Sequence, residues 1–240
     1  MLPLHLAHVD PPTAAPVPGH LAPYAAEVAA LRGIGHEFHQ RRWSLGTSSN
    51  YSAVVRHDPL ELVVTASGKD KGALTNDDFV LIGGDGRPTI SGQPKSSAET
   101  LLHVVLAKLP GCGAVLHTHS VWGTLLSDWF ADQGQLEIEG YEMLKGLEGI
   151  ATHETSTVVR IFENTQDIPD LARRVNQWLD GGPLHPPHAF LIRRHGLYTW
   201  GCDLATARRH VEILEFLFEC VARDIMFRGD ATRFSAATQS

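Results

Sequence analysis

The sequence predicts an α/β fold, a three-layer α/β/α arrangement in which helices cover a mixed central sheet. Two patterns lead to it. Runs of strand-forming residues are grouped early in the chain, whereas later strands alternate with segments of helical spacing. In addition, 43% of the 240 residues are hydrophobic and only 20% charged, enough apolar surface for one large core.

The elements follow in order. Pro3, Pro11, Pro12, Pro16, Pro18 and Pro23 remove backbone donors, so residues 1–22 read as a flexible arm. The arm lacks the basic start and apolar run of a secretory signal. From Tyr24, the spacing of Tyr24, Val28, Leu31 and Phe38 predicts a helix that ends near Arg41-Arg42, where cations suit a helix C-terminus. Strands are predicted over 51–56, 61–66 and 79–82, the last followed by the turn Gly83-Gly84-Asp85-Gly86. Leu101, Leu102, Val105 and Leu106 predict a helix over 97–109 that stops at Pro110-Gly111, and 114–116 reads as a short buried strand. A strand over 157–162, a helix over 168–179, a strand over 189–193 and a long helix over 204–227, opened by Asp203 as N-cap, complete the list. One folded domain over 23–228 and a tail over 229–240 are therefore expected.

Composition excludes several functions. Twenty Lys and Arg against 27 Asp and Glu give a net charge of −7, the opposite of a nucleic-acid-binding footprint. The most apolar late stretch, 214–227, is interrupted by Glu215, Glu219, Arg223 and Asp224, which excludes a membrane span. Cys112, Cys202 and Cys220 form neither a disulfide framework nor a Cys-x-x-Cys pair, as suits a reducing cytoplasm.

Histidine is over-represented, with 14 residues. His117 and His119 follow the apolar run Ala114-Val115-Leu116, and on a strand residues i and i+2 share a face, so both imidazoles can reach one ion. A catalytic site for zinc or a similar metal takes about three protein ligands and leaves a position open. His195 is the best third ligand: it follows Phe190-Leu191-Ile192 and precedes Gly196, another apolar strand ending in histidine. A bare His-x-His is as readily an ordinary hydrogen-bonded pair at a strand end. The others lack this context and read as surface or packing residues: His5, His8 and His20 in the arm, His36, His39, His103 and His210 on helices, His57, His153, His185 and His188 in loops or at strand edges.

His117-Thr118-His119-Ser120, Ser97-Ala98-Glu99-Thr100 after Ser96, Glu142-Met143-Leu144-Lys145-Gly146 and the segment from Arg194-His195-Gly196 to Trp200-Gly201 together resemble the class II aldolase/adducin superfamily, from about Tyr24 to Phe227. Within it they are most similar to the dehydratases of the methionine salvage pathway that act on 5-methylthioribulose 1-phosphate. The resemblance implies a class II aldolase-like fold, one Zn2+ per subunit held by His117, His119 and His195, and a cytoplasmic homotetramer with sites near subunit interfaces. It implies a reaction in which a base takes the proton from C3, the C4 hydroxyl leaves as water, and the enol becomes a 2,3-diketone. By resemblance Glu142 is the general acid/base, while Glu99 matches the catalytic glutamate of the aldolases and contacts metal or substrate. Thr47, Ser48 and Asn50, with Ser67, Gly68 and Lys69, occupy the family's phosphate-binding loops, and Ser96 and Ser97 precede a helix whose N-terminal amides attract anions. One departure stands out: the family often has glycine before the asparagine, and this chain has Ser49.

Two other functions remain open in the sequence. A class II aldolase or epimerase acting on another ketose phosphate, such as fuculose or ribulose phosphate, shares the metal and phosphate elements. A non-catalytic, adducin-like interaction module keeps the fold without the chemistry, and the complete histidine set argues against it.

Overall fold

A computed structural model describes residues 16–181 and 187–237, with side chains described through residue 228. The expectations for residues 1–15, His5 and His8 among them, and for His185 lie outside the described residues. The strands are β1 (Asn50–His57), β2 (Leu60–Thr65), β3 (Phe79–Gly83), β4 (Ala114–Thr118), β5 (Gln135–Glu139), β6 (Ser156–Phe162), β7 (Ala189–Ile192) and β8 (Gly196–Gly201). The helices are α1 (Ala25–Gln40), α2 (Thr100–Ala107), α3 (Val121–Trp129), α4 (Ile168–Asp180) and α5 (Leu204–Ala237).

All eight strands form one mixed sheet in the order β3-β2-β1-β4-β8-β7-β6-β5. Among the described residues only β6 and β7 pair in parallel, and α4 supplies the long crossover that a parallel pair requires. Alternation along β4 separates two helix layers. Leu116 packs with α1 and α5, whereas Val115 packs with α2 and α4. The predicted three-layer α/β/α architecture is therefore the observed one.

Apart from the C-terminal end of α5, the predicted elements appear within a few residues of their expected bounds, and Asp203 caps α5 by accepting a 2.7 Å hydrogen bond from the Thr206 amide. Besides short 3-10 helices, α3, β5 and β8 are additional among the described residues. The ends of the domain also differ from expectation. Leu21, inside the predicted arm, is fully buried with Val17 packed against its cluster, because removing an apolar side chain from water outweighs the lack of regular structure around it. The helix α5 stays helical to Ala237, past residue 229.

One glycine fixes how the two histidine motifs meet. A Cβ on Gly196 would lie 2.0 Å from the Thr118 carbonyl oxygen and 3.1 Å from His117 Cε1. Any larger residue would push β8 off the end of β4.

Candidate active site

His117 lies at the end of the central strand β4 and is fully buried; His119 follows two residues later. His195 comes from the turn between β7 and β8, which α3 holds in place: Ser127 Oγ accepts from the Arg194 amide at 3.0 Å, and Thr124 Oγ1 donates to the His195 carbonyl at 3.1 Å. The three imidazoles converge, with one ring nitrogen of each within 4.8 Å of the others. His117 Nε2 and His119 Nε2 are 2.7 Å apart.

The donor set fits a divalent ion. His117 Nδ1 lies 2.8 Å from the Leu197 carbonyl oxygen, which can only accept, so Nδ1 carries the proton and Nε2 faces the cluster as a lone pair. Burial, with the neighbouring imidazoles acting the same way, holds His117 well below the usual histidine range and His119 down to about 3. Both are thus neutral, the form that ligates metal. Tyr198 stacks on His117 with ring centroids 4.0 Å apart and fixes its plane.

Glu99 is the carboxylate that joins this cluster. It sits at the N-cap of α2, with Oε1 3.3 Å from His195 Nε2 and Oε2 3.5 Å from His117 Nε2. Asn50 Nδ2 and the Tyr198 hydroxyl donate to Oε2 at 2.8 and 3.0 Å. Burial and the adjacent Glu99 charge push the Tyr198 phenol well above its ordinary range, so it stays a donor. Behind Asn50, His103 contacts its amide oxygen and bonds Ser52 Oγ at 2.7 Å; burial lowers His103 to about 3, so it is a neutral link.

The sequence-derived residues divide accordingly. A polar cleft beside the histidines is lined by Thr47, Ser48, Asn50, Ser67, Gly68, Ser97, Glu99, His119 and His195. Asn50, expected at the phosphate, is committed to Glu99 and His103. Lys69 does not line the cleft; it pairs with Asp78 at 2.7 Å. Ser96 is not in the lining either and instead bridges Ala66 in the backbone. Glu142 is apart from the cluster: it opens a short 3-10 helix, is 69% exposed, and pairs with Lys145 at 2.8 Å and His153 at 3.3 Å. The Lys145 ammonium holds its carboxyl below the usual range. Tyr198, Asn50 in its supporting role and His103 were not legible as a unit, because they come from β8, β1 and α2 and meet only in the folded sheet.

Comparisons with known proteins point to one family. Residues 29–222 match the family described as Class II Aldolase and Adducin N-terminal domain. The chain is 45% identical over 198 residues to a methylthioribulose-1-phosphate dehydratase of Marinobacter nauticus, covering 82% of this chain and 93% of that protein. It is 43% identical over 210 residues to the methylthioribulose-1-phosphate dehydratase of Xanthomonas campestris pv. campestris, covering 87% and 94%. Among solved structures, the L-fuculose-1-phosphate aldolase from Thermus thermophilus superposes with a TM-score of 0.67 at 20% identity, covering 85% of this chain and 98% of that one. At that identity the likeness concerns the fold.

Proposed function

The chain belongs to the class II aldolase and adducin family, and on that premise we propose that it is a hydro-lyase that dehydrates 5-methylthioribulose 1-phosphate to 5-methylthio-2,3-dioxopentyl phosphate. The observation that carries the chemistry is the convergence of His117, His119, His195 and Glu99 on one cleft; the relatives at 43–45% identity carry the choice of substrate. In this reading the three histidines hold one Zn2+ per subunit, and the protein acts in methionine salvage as a cytoplasmic homotetramer. Among the described residues no helix is long and apolar enough to cross a membrane.

When bound, the ion supplies Lewis acidity that lowers the barrier to removing a proton beside a carbonyl. The protein's own groups do the rest. The Ser67-Gly68 turn and the 47–49 loop offer hydroxyls and amides to the phosphate, and Ser97 lies two residues ahead of the α2 N-cap Glu99. A carboxylate takes the C3 proton and returns it to the departing C4 hydroxyl, which leaves as water. Glu142 fills that role in our reading, and since it lies outside the cleft of its own chain, it serves the cleft of a neighbouring subunit. Glu99, held by Asn50 and Tyr198, aligns the cluster and is the alternative base.

The deciding experiment offers methylthioribulose 1-phosphate to the purified protein and follows the diketone, before and after chelation and after Zn2+ is restored. Diketone that disappears on chelation and returns with Zn2+ is expected. A retro-aldol product from a four- or five-carbon sugar phosphate, with no diketone, would overturn the dehydratase reading in favour of an aldolase.

A further inference from the structure

His117 and Thr118 are consecutive residues of β4 and leave the sheet on opposite faces. His117 points into the cluster with Glu99, while Thr118 points toward α5 and is fully buried. There its hydroxyl donates to Glu215 Oε1 at 2.8 Å. Glu215 is only 2% exposed and lies in an otherwise apolar stripe of α5 with Val211, Leu214 and Phe218, all fully buried. Its other oxygen, Oε2, is buried and makes no hydrogen bond among the described residues.

A carboxyl group in such a stripe is unfavourable unless it does something that leucine cannot. The group it grips stands between two histidines of the cluster. The Thr118 carbonyl also abuts Gly196, the residue after His195, so a shift of Thr118 displaces both histidine motifs together. We propose that Glu215 is a positioning residue for the histidine cluster: through Thr118 Oγ1 it fixes the end of β4, and with it the aim of His117 and His119, from the sheet face opposite the site. Burial pushes the Glu215 carboxyl up to about 7, with the hydroxyls of Ser120 and Thr118 acting the other way, so the uncharged form is well populated near neutral pH. The inference rests on the reading of the three histidines as a site for a divalent ion.

The test uses the full-length chain and Co2+ as the probe, reading affinity by competition with a chelator and coordination geometry by the visible absorption of bound Co2+. Glu215→Leu and Thr118→Val are each expected to weaken Co2+ binding about 10- to 100-fold, the range for lost support behind a metal ligand, and to alter the absorption envelope. Glu215→Gln, which keeps an acceptor for Thr118, is expected to stay within a few-fold of wild type. The double variant Thr118→Val/Glu215→Leu should bind no more weakly than the worse single variant, because both remove one interaction. If Glu215→Leu does not fold, Thr118→Val decides, since it removes only the donor. Wild-type Co2+ affinity and spectrum in folded variants, or losses that multiply in the double variant, overturn the inference alone. Wild-type protein that binds no Co2+ overturns the metal reading and the inference with it.

Discussion

Ser49 has φ +69°, a left-handed conformation that a residue with a Cβ adopts at a cost. The position at which the sequence departs from glycine thus has the backbone conformation that favours glycine. The Ser49 hydroxyl reaches the Trp43 carbonyl at 3.4 Å, a weak return for the strain. Ser49→Gly is expected to stabilise the protein by roughly 0.5–1 kcal/mol, the left-handed cost less the added entropy of unfolded glycine, and Ser49→Val to destabilise it. Urea midpoints measure both, and a destabilised Ser49→Gly contradicts the account. Lys71, unlike Ser49, is a residue the sequence did not single out. Its side chain is buried, and its ammonium donates to the Lys69 carbonyl at 2.7 Å beneath the Ser67-Gly68-Lys69 turn. Burial lowers it from 10.5 to about 8, with Asp70 and Asp78 acting the other way. The unfolded chain therefore holds this proton more tightly than the folded one. The cost of burying the charge is full below pH 8 and fades as pH rises toward 10.5. Across that window wild type should gain stability relative to Lys71→Met, by up to about 3 kcal/mol. Unfolding at a series of pH values tests this, and a difference that stays flat across the same window contradicts it.

Helices and strands with strong periodicity were readable because each carries its own signal. The alternation in β4 placed His117 and His119 together, and the apolar stripe of α5 was visible before its partners were known. The helix α3 was less legible, since its outward face is apolar: Val121, Leu125 and Trp129 are 62%, 56% and 66% exposed. Spaced four apart, they form one stripe that begins two residues after His119. Such a stripe suits contact with another subunit, in line with the proposed tetramer. Leu125→Glu, which places a charge on that stripe without disturbing the core, should shift the protein to smaller species and reduce turnover. Light scattering gives the mass directly; an intact assembly with full activity removes α3 from the interface.

For the whole molecule, a net charge of −7 cannot by itself attract an anionic sugar phosphate. In the proposed reading, binding comes from local donors, the start of α2 and an ion held at the histidines. Glu142 raises the matching question for catalysis. In one chain it is a solvated carboxylate paired with Lys145 and His153, far from an environment that would make it a base. If assembly supplies it to a neighbouring site, Glu142→Gln abolishes turnover while metal content stays at the wild-type level. Co-assembled subunits carrying Glu142→Gln and His119→Ala, each inactive alone, should then recover activity, because one cleft in the mixture has every group. Near-normal turnover of Glu142→Gln sinks the role of this residue, and failure of the mixture to recover overturns its supply from a neighbouring subunit.

The sequence by itself determined the layered α/β architecture, the helix and strand periods and the three histidines at strand ends, because these depend on spacing along the chain and on the strand's alternation of faces. Only the tertiary structure decided which carboxylate meets those histidines. Glu99 does so because β1, β8 and α2 bring Asn50, Tyr198 and the helix N-terminus to one point, while Glu142, next to its own ion-pair partners in sequence, stays at the surface. Contacts of this kind join residues far apart in the chain, and no local pattern records them.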